Sequence, residues 1–298
     1  MLYKRSHFRS AYEALLAELE QQLEQQGWRS ASALSVSPIW GGGSWMSYTS
    51  ALFGVRIDTH PQYLSLRDRY QAVTYPDLGH YLKSQGYEYI RLSSLAADLE
   101  ADDWVQLQNL YDIDRWPNYD DLDFKGPHFG WGPSPPDQYA LHYAYETILS
   151  KSERPFFFFF ITQNSHYPWM PLPALVEDWR TLNEPTDTTE VFDPNAIPHQ
   201  TKRQNYLDSI NYELSFLTDY ITKRGRENAI FILIGDHQPP QVSRRNDSFD
   251  TPIHILSRDP ALADAFLEYG FEPGLTVKQT TAPMRHEGFY SMFIRVLL

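Results

Sequence analysis

The sequence predicts one α/β domain, built on a mainly parallel central sheet with helices on both faces. Helical segments alternate with short strands along the chain, which is typical of such a sheet. The strands are nearly continuous apolar runs, as expected when both faces of a parallel sheet are buried. A chain of 298 residues that is 42% hydrophobic can supply the core of this fold. We therefore expect a single domain over residues 1–298.

Each element in the first half of the chain has its own signal. The opening helix ends at Gly27 and carries an apolar stripe at helical spacing. The stripe consists of Ala11, Leu15, Leu16, Leu19 and Leu23. The next predicted elements are a strand (31–40), a glycine-rich turn that leads into a short helix (41–54), a helix (75–87) and a strand (88–93).

The second half contains two irregular segments between regular elements. Residues 115–136 are rich in proline, glycine and aromatic residues, and a loop of this length in a compact domain is usually functional, so we expect a lid. Residues 171–200 are polar with several prolines, which indicates a surface excursion. The regular elements are a helix (137–152), a buried strand (155–163), a helix (204–225), a central strand (229–236), a strand (251–257) and a terminal helix (288–298).

Charge and composition exclude several classes of protein. The net charge of -13 argues against a general nucleic-acid binder, which needs a basic surface. It is compatible with small phosphorylated or sulfated substrates, because a bound cation can invert the local field. The absence of cysteine excludes disulfides, zinc-thiolate sites and thiol nucleophiles. We find no signal peptide and no apolar run of the roughly 20 residues that a membrane-spanning helix needs.

Polar loops follow three of the predicted strands. They are "GGGSW" (41–45), "NSHYPW" (164–169) and "GDHQPP" (235–240). In open α/β sheets, ligands bind at the carboxyl ends of the strands. The coincidence of three such loops predicts a site at that edge of the sheet.

Asp236 and His237 follow the apolar run "FILI" directly. A carboxylate oxygen and an imidazole nitrogen suit Zn²⁺ or Mn²⁺, and adjacent residues can converge on one ion where a strand ends. Gly235 lets the backbone turn, and two prolines hold the exit loop. The alternative is an Asp that caps a turn beside a solvent-facing His. The buried strand before the pair favours the metal site.

Ser44 comes after three glycines, at the predicted start of a helix. Backbone N–H groups at a helix N-terminus attract anions, and a serine there can attack a phosphoryl or sulfuryl centre when a metal activates it. The alternative is a plain N-cap serine. The segment is neither a Walker loop nor a nucleophile elbow, because the latter needs glycine where Met46 stands.

Two further side chains of these loops are candidates for substrate binding. His166 lies between aromatic residues just past a predicted strand, where it can ligate a metal, donate a proton or bind a phosphate. The alternative for His166 is a packed loop histidine. Trp45, next to Ser44, can stack on a sugar, or it can simply be packed.

Three residues elsewhere are polar candidates with ordinary structural alternatives. We expect His254, in a late strand, to be a core histidine with its ring satisfied. Arg91 can reach an anionic substrate if it points from a strand end. Asp137 is expected to cap the following helix rather than to catalyse.

Taken together, the three polar loops resemble the sulfatase-like hydrolase and transferase family of the alkaline phosphatase superfamily. Its members include arylsulfatases, lipoteichoic acid synthases and phosphoethanolamine transferases. Asp236 and His237 match the family's second metal motif, an Asp followed by His after a core strand. Ser44 stands where the family has its nucleophile, at the start of a helix that closes on Leu-x-Gly, here "LFG" (52–54). "NSHYPW" is similar to the Asn-His-Tyr-Pro segment of the transferases, which implies that His166 contacts the substrate.

The resemblance covers nearly the whole chain, from about Val36 to the C-terminus. Ser47 falls where sulfatases carry the serine of their Cys-x-Pro-Ser-Arg motif. The superfamily often has an additional histidine late in the chain, which makes His286 a candidate for substrate binding; the alternative is a structural histidine.

The sequence departs from the family pattern in two ways. "SWMSY" lacks the Pro and Arg of the formylglycine motif, so Ser44 is expected to attack directly, which favours phosphate esters over sulfate esters. The family's first strand ends in a metal-binding Glu or Asp. The chain begins "MLYKRSHF" and shows no such strand, so the resemblance implies a domain that is N-terminally incomplete.

The resemblance therefore implies a metal-dependent hydrolase or transferase of phosphate esters. Asp236, His237 and Ser44 would hold a divalent cation (Mn, Zn, Mg or Ca), with Ser44 as nucleophile and His166, His286 and Trp45 binding the substrate. The substrate is a small phosphorylated or sulfated compound, including lipid- or glycan-linked ones, and not a nucleic acid. Relatives usually work outside the cytoplasm or tethered to a membrane, so the same location is expected here.

Two other functions are compatible with parts of the sequence. A non-catalytic or truncated sulfatase-like protein would have an incomplete metal site, since the first carboxylate is missing. A carbohydrate-binding module could use the aromatic loop within 115–136, but it would not explain the order of the three polar loops.

Overall fold

The structure, a computed structural model, describes residues 6–70, 75–95, 101–130, 132, 134–186, 194–244 and 246–298. The chain divides into two compact units. The first consists of Met1–Leu66 and Leu217–Leu298, and the second of Arg67–Phe216. The single domain predicted over residues 1–298 stays a prediction. None of the helices in the described part combines the length and apolar composition that crossing a membrane requires.

The described residues form these helices and strands. The α-helices are α1 (Ser6–Gln25), α2 (Ser44–Phe53), α3 (His60–Arg69), α4 (Leu78–Ser84), α5 (Ala101–Tyr111), α6 (Asp137–Thr147), α7 (His199–Arg224), α8 (Pro260–Ala265) and α9 (Phe289–Leu297). The strands are β1 (Arg29–Val36), β2 (Glu88–Leu92), β3 (Phe156–Phe160), β4 (Ile230–Ile234), β5 (Asp250–Ser257), β6 (Glu272–Pro273) and β7 (Met284–Arg285).

The sheet of the first unit is mainly antiparallel, with the order β4-β5-β1-β6. β5 runs antiparallel to β1 on one side and to β4 on the other, and β6 is also antiparallel to β1. β7 is the exception, since it pairs with β1 in parallel. The predicted mainly parallel sheet is therefore wrong for this unit. Apolar runs report that a strand is buried, and they carry no information about its direction.

α1 packs its apolar stripe into the first unit. Leu16, Leu19 and Leu23 are buried as predicted, whereas the predicted Ala11 and Leu15 are not. Phe8 and Tyr12 complete the buried stripe instead, because they continue it toward the N-terminus at helical spacing. Gly27 lies in the turn between α1 and β1, and its φ of 79° is in the left-handed region that favours glycine.

The second unit contains a two-stranded sheet, in which β2 and β3 run parallel. β3 is the predicted buried strand, yet its five phenylalanines are all only half-buried. β4, the predicted central strand of the first unit, is likewise half-buried and is the last strand of its sheet. In the described ranges β3 pairs with β2, and β4 pairs with β5.

The two irregular segments are tied to the core of the second unit. Leu122 and Phe124, from the predicted lid 115–136, pack with Tyr139 of α6. Trp179, from the predicted excursion 171–200, joins the same cluster. The lid and excursion roles stay predictions, and residues 131, 133 and 187–193 lie outside the described residues.

Candidate active site

The glycine-rich turn after β1 starts α2 without using a side-chain cap. Gly42 and Gly43 have φ of 74° and 76°, in the left-handed region where glycine is favoured. Gly43 is the N-cap residue, Ser44 is the first helical residue, and no side chain caps the helix. The Ser44 hydroxyl is instead directed to another strand end: its Oγ donates to Asp236 Oδ2 at 2.5 Å. Ser44 is therefore not a plain N-cap serine.

His237 lies beside the same hydroxyl. Its Nε2 is 3.3 Å from Ser44 Oγ and 3.3 Å from Asp236 Oδ2. Its Nδ1 is 2.8 Å from the Gln238 carbonyl oxygen, which can only accept, so Nδ1 carries the proton. Nε2 then carries a lone pair, and it accepts the Gly42 N–H at 3.2 Å.

The backbone around Asp236 is held by buried hydroxyls. Ser37 Oγ and Ser47 Oγ both donate to the Asp236 carbonyl oxygen at 2.6 Å, and both serines are fully buried. The Gly235 N–H donates to the Pro252 carbonyl oxygen at 2.9 Å. Ser47 was predicted only as a position shared with sulfatases, and no role was predicted for Ser37. Its signal is its place just beyond β1, in the segment that leads to the glycine-rich turn.

His286 is buried behind this strand end, with 1% of its surface exposed. Its Nε2 donates to the Gly235 carbonyl oxygen at 3.1 Å, so its Nδ1 accepts from Ser35 Oγ at 2.8 Å. Burial lowers the pKa of His286 to about 4, which keeps the ring neutral. The ring therefore contacts the backbone of Gly235, the residue before Asp236, rather than the Asp236 side chain. Its predicted contact with a substrate stays a prediction.

Trp45 presents a partly exposed ring at the start of α2, next to Ser44, with 39% of its surface exposed. Its ring centroid is 5.9 Å from that of His60 and 6.5 Å from that of Tyr63, both on α3. These edge and tilted contacts hold the indole while leaving part of it open to solvent.

His166 lies in the second unit, in the turn that follows β3. Its Nδ1 is 2.6 Å from the Tyr167 carbonyl oxygen, and its backbone N–H donates to the Gln163 carbonyl oxygen at 3.0 Å. The preceding backbone N–H groups, of Gln163 and Asn164, donate to Asp137 Oδ2 at 2.7 and 2.6 Å. The predicted helix cap at Asp137 is wrong, because this carboxyl binds the turn and Pro136 is the N-cap residue of α6.

The other two candidates belong to the interiors of their units. His254 is fully buried, with Nδ1 2.7 Å from Ser32 Oγ, and burial lowers its pKa to about 4. Its Nε2 has no hydrogen-bond partner among the described residues, so the expected satisfied ring is only half satisfied. The Arg91 guanidinium stacks over the rings of Tyr111 and Trp116, at 5.0 and 4.7 Å, and the residue is buried in the second unit.

The donor atoms at the two strand ends fit a divalent cation. Ser44 Oγ, Asp236 Oδ2 and His237 Nε2 lie within 3.3 Å of one another and supply the oxygen and nitrogen donors that Zn²⁺ or Mn²⁺ accepts. The Nδ1–H of His237 donates to a carbonyl oxygen, as metal-binding histidines commonly do. No three His, Asp or Glu side chains in the described ranges form a ligand set.

Comparison with known proteins decides the family. A family model described as Sulfatase matches residues 47–263, which is most of the chain. The chain belongs to the sulfatase family. The matched residues of this sulfatase-family chain include Asp236 and His237 and begin three positions after Ser44. A comparison with the sequences of curated proteins finds no match.

Solved structures similar to this sulfatase-family chain come from the alkaline phosphatase superfamily. The lipoteichoic acid synthase LtaP from Listeria monocytogenes has a TM-score of 0.55 and 14% identity, over 82% of this chain and 59% of LtaP. The Streptococcus pyogenes phosphoglycerol transferase GacH, in complex with sn-glycerol-1-phosphate, has a TM-score of 0.53 and 15% identity, over 94% and 67%. The C-terminal periplasmic domain of Escherichia coli EptC, in complex with Zn, has a TM-score of 0.50 and 11% identity, over 80% and 66%.

At these identities the likeness shows the fold, and the chain spans less than two thirds of the length of LtaP. The expected α/β fold of the alkaline phosphatase superfamily and the resemblance to its sulfatase-like members are confirmed.

Proposed function

We propose that the protein is a metal-dependent hydrolase or transferase of phosphate esters, with Ser44 as its nucleophile and sulfate esters as the less favoured substrates. The observation that carries this proposal is the convergence of Ser44 Oγ with Asp236 Oδ2 and His237 Nε2, at 2.5 and 3.3 Å. Because α2 does not use this hydroxyl as a cap, it is available for attack.

Asp236, His237 and Ser44 would hold the divalent cation (Mn, Zn, Mg or Ca). When bound, it would favour the alkoxide form of the serine and neutralise charge on the phosphoryl oxygens. The Zn complex of EptC supports a divalent cation in this fold. The residues present supply three donors, and the Ser37 and Ser47 hydroxyls keep the Asp236 backbone in place.

In the first step, Ser44 Oγ forms a bond to phosphorus while the bond from phosphorus to the leaving oxygen breaks. With Asp236 Oδ2 assigned to the cation, the serine proton passes to water. The leaving oxygen takes a proton from water. In the second step, water or an acceptor hydroxyl forms a bond to phosphorus while the bond from phosphorus to Ser44 Oγ breaks, and the proton of the attacking hydroxyl passes to Ser44 Oγ.

The remaining predicted site residues would bind the substrate or support the site. The partly exposed ring of Trp45 can stack on a sugar or polyol next to the nucleophile. For His166, in the turn after β3, the predicted role of binding the substrate is retained. The two hydrogen bonds of His286 favour a supporting role behind Gly235 over direct contact with the substrate.

The similar structures support a glycerol-phosphate-like, lipid- or glycan-linked substrate. One is a lipoteichoic acid synthase, and another is a phosphoglycerol transferase that holds sn-glycerol-1-phosphate. The EptC structure is that of a periplasmic domain, which supports a location outside the cytoplasm for this protein as well.

The decisive test changes Ser44 to Ala and measures hydrolysis of a chromogenic phosphodiester with Mn²⁺ or Zn²⁺ supplied. We expect at least about a hundredfold loss of kcat, because the nucleophile is removed. Ser65→Ala, an exposed serine on α3, is the matched control and should retain full activity. A Ser44→Ala variant as active as the parent protein would rule out this role.

A second candidate function is a non-catalytic family member. It is favoured by the absence of any three-membered His, Asp or Glu ligand set within the described residues. A thermal-shift titration with Mn²⁺ and Zn²⁺ distinguishes the two. The enzyme should be stabilised by a cation, and Asp236→Asn should abolish the shift. A parent protein that shows no shift and no activity would instead support the non-catalytic function.

A further inference from the structure

Two buried carboxyl groups face each other in the second unit, away from the residues assigned to the cation. Asp137 is the first residue of α6 and is completely buried. Glu213 lies in α7 and is 4% exposed. The neighbouring residues join the two helices at this place, since the Gln138 N–H donates to Tyr212 Oη at 3.4 Å, and each carboxyl shifts the pKa of the other. Burial of two like charges this close together is costly unless a proton or a cation compensates them.

Asp137 is bound to the turn that carries His166. Its Oδ2 accepts the backbone N–H groups of Gln163 and Asn164, at 2.7 and 2.6 Å. In return, its own N–H donates to Asn164 Oδ1 at 2.8 Å. These three hydrogen bonds join α6 to the residues immediately before His166. A change in the charge or position of this carboxyl would therefore move the turn.

The remaining oxygens of the pair need one proton. With both groups ionised, Asp137 Oδ1 and both Glu213 carboxyl oxygens have no hydrogen-bond partner in the described residues. A single proton between the two carboxyls gives each group a partner, as in other close carboxyl pairs. The proton belongs on Glu213, because the two backbone N–H groups stabilise the ionised form of Asp137.

The surroundings favour that proton. Burial raises the pKa of Asp137 to about 6 and raises the pKa of Glu213 well above its usual range, and the charge of Asp137 raises the latter further. Tyr212, the neighbour of Glu213 in α7, also faces the pair, and burial raises its pKa, so it stays neutral. The turn itself contributes the uncharged Gln163, Asn164 and Ser165, and the backbone N–H of Ser165 opposes part of the rise in the pKa of Glu213. None of these groups supplies a positive charge.

We propose that Asp137 and Glu213 share one buried proton and act together as positioning residues for the turn that carries His166. The effect on catalysis rests on the proposed function, in which His166 binds the substrate. The sharing of the proton and the order of the turn do not depend on it. Loss of the proton at high pH leaves two buried charges, so the turn is held less firmly.

The pH dependence has a defined sign. A carboxyl whose pKa is raised by folding contributes stability that is complete below the unfolded pKa. That stability is lost as the pH rises through the folded pKa. The pair should therefore lower the denaturant midpoint between about pH 5 and about pH 8. Glu213→Gln supplies a permanent N–H donor of the same shape, so its midpoint should lack this part of the decrease. Glu177→Gln, an exposed carboxyl in the same unit, is the matched control and should keep it.

Hydrogen exchange tests the turn directly. Asp137→Ala should accelerate exchange of the Gln163 and Asn164 amides by at least about tenfold, while Glu213→Gln leaves it near the parent rate. If Asp137→Ala does not fold, the pH dependence of Glu213→Gln still decides the matter. A Glu213→Gln variant with the parent's pH dependence would overturn the proposal. So would a cation-induced thermal shift of the parent that Glu213→Gln abolishes and Asp236→Asn leaves intact.

The outcomes also separate this proposal from the proposed function. If the parent protein is inactive but shows the expected pH dependence and exchange rates, the shared proton is supported and the proposed function is not. If the parent protein is active, Asp137→Ala should raise KM or lower kcat at least about tenfold. The parent should also lose activity toward about pH 8, where the shared proton is lost, and the Glu213→Gln variant should not show this loss.

Discussion

Ser37 and Ser47 show how single hydroxyls shape the site. Both donate to the same oxygen, the Asp236 carbonyl, and both are fully buried. A carbonyl oxygen has two lone pairs, so the two hydroxyls saturate it. With the Gly235 N–H bound to Pro252, the backbone on either side of the Asp236 side chain is fixed. The carboxylate can therefore keep its direction toward Ser44.

We predict that Ser37→Ala and Ser47→Ala each weaken the site more than they destabilise the fold. Each removes one hydrogen bond worth about 1 kcal/mol, while the other serine still binds the carbonyl oxygen. The double variant should lower kcat/KM at least about tenfold and reduce the cation-induced thermal shift. Urea denaturation measures the stability of each variant. If the double variant keeps the parent's activity and thermal shift, the two hydroxyls do not support the site.

At the scale of elements, the site depends on two loops that touch. A Cβ on Gly41 would lie 2.5 Å from Pro240 Cγ and 3.2 Å from the Gln238 carbonyl oxygen. The turn before α2 and the loop after β4 thus approach as closely as glycine permits. Because Ser44 begins α2 and His237 precedes Gln238, this approach sets the separation of the two donors.

Gly41→Ala should push the two loops apart. We expect a loss of about 1–3 kcal/mol of stability from the steric overlap and at least about a tenfold decrease in kcat, since Ser44 and His237 separate. Gly288→Ala is the matched control, because a Cβ there meets no atom within 4 Å. Chemical denaturation and steady-state kinetics measure both effects. Equal behaviour of the two variants would contradict the role assigned to this approach.

The elements around the site were largely predictable from the sequence. The short helix predicted to follow the glycine-rich turn within 41–54 is α2, and the strand predicted over 251–257 is β5, because apolar periodicity and glycine stops are local signals. Strand direction was not predictable, since it depends on which distant segments pair. α3 and α5 were missed because the long apolar stripe that identifies α1 is not repeated in them.

The site residues divide in the same way. That Asp236, His237 and Ser44 lie close together was predictable, because each follows the end of a strand or begins a helix, and their roles stay predictions. Asp137 was misjudged as a helix cap, because its partners Gln163 and Asn164 are distant in sequence and no local pattern reports them.

At the scale of the whole molecule, the net charge of -13 opposes the approach of anionic substrates. Salt screens this repulsion, with a Debye length of about 10 Å at about 0.1 M. We therefore predict that kcat/KM for an anionic phosphodiester rises a few-fold between about 20 mM and about 200 mM NaCl. Sucrose at the same osmolality is the control and should have no effect. A decrease with salt would indicate a positive local field at the site instead.

The net negative charge also affects how copies of the chain associate through the half-buried apolar strand β4. An edge of unpaired backbone groups with apolar side chains is a template for pairing with another copy of the chain. In the described residues β4 pairs on one side only, and Ile234 at its end is 36% exposed. Mutual repulsion between copies opposes that pairing at low ionic strength. Because salt screens this repulsion too, we expect association between copies to increase over the same range of ionic strength in which kcat/KM is predicted to rise.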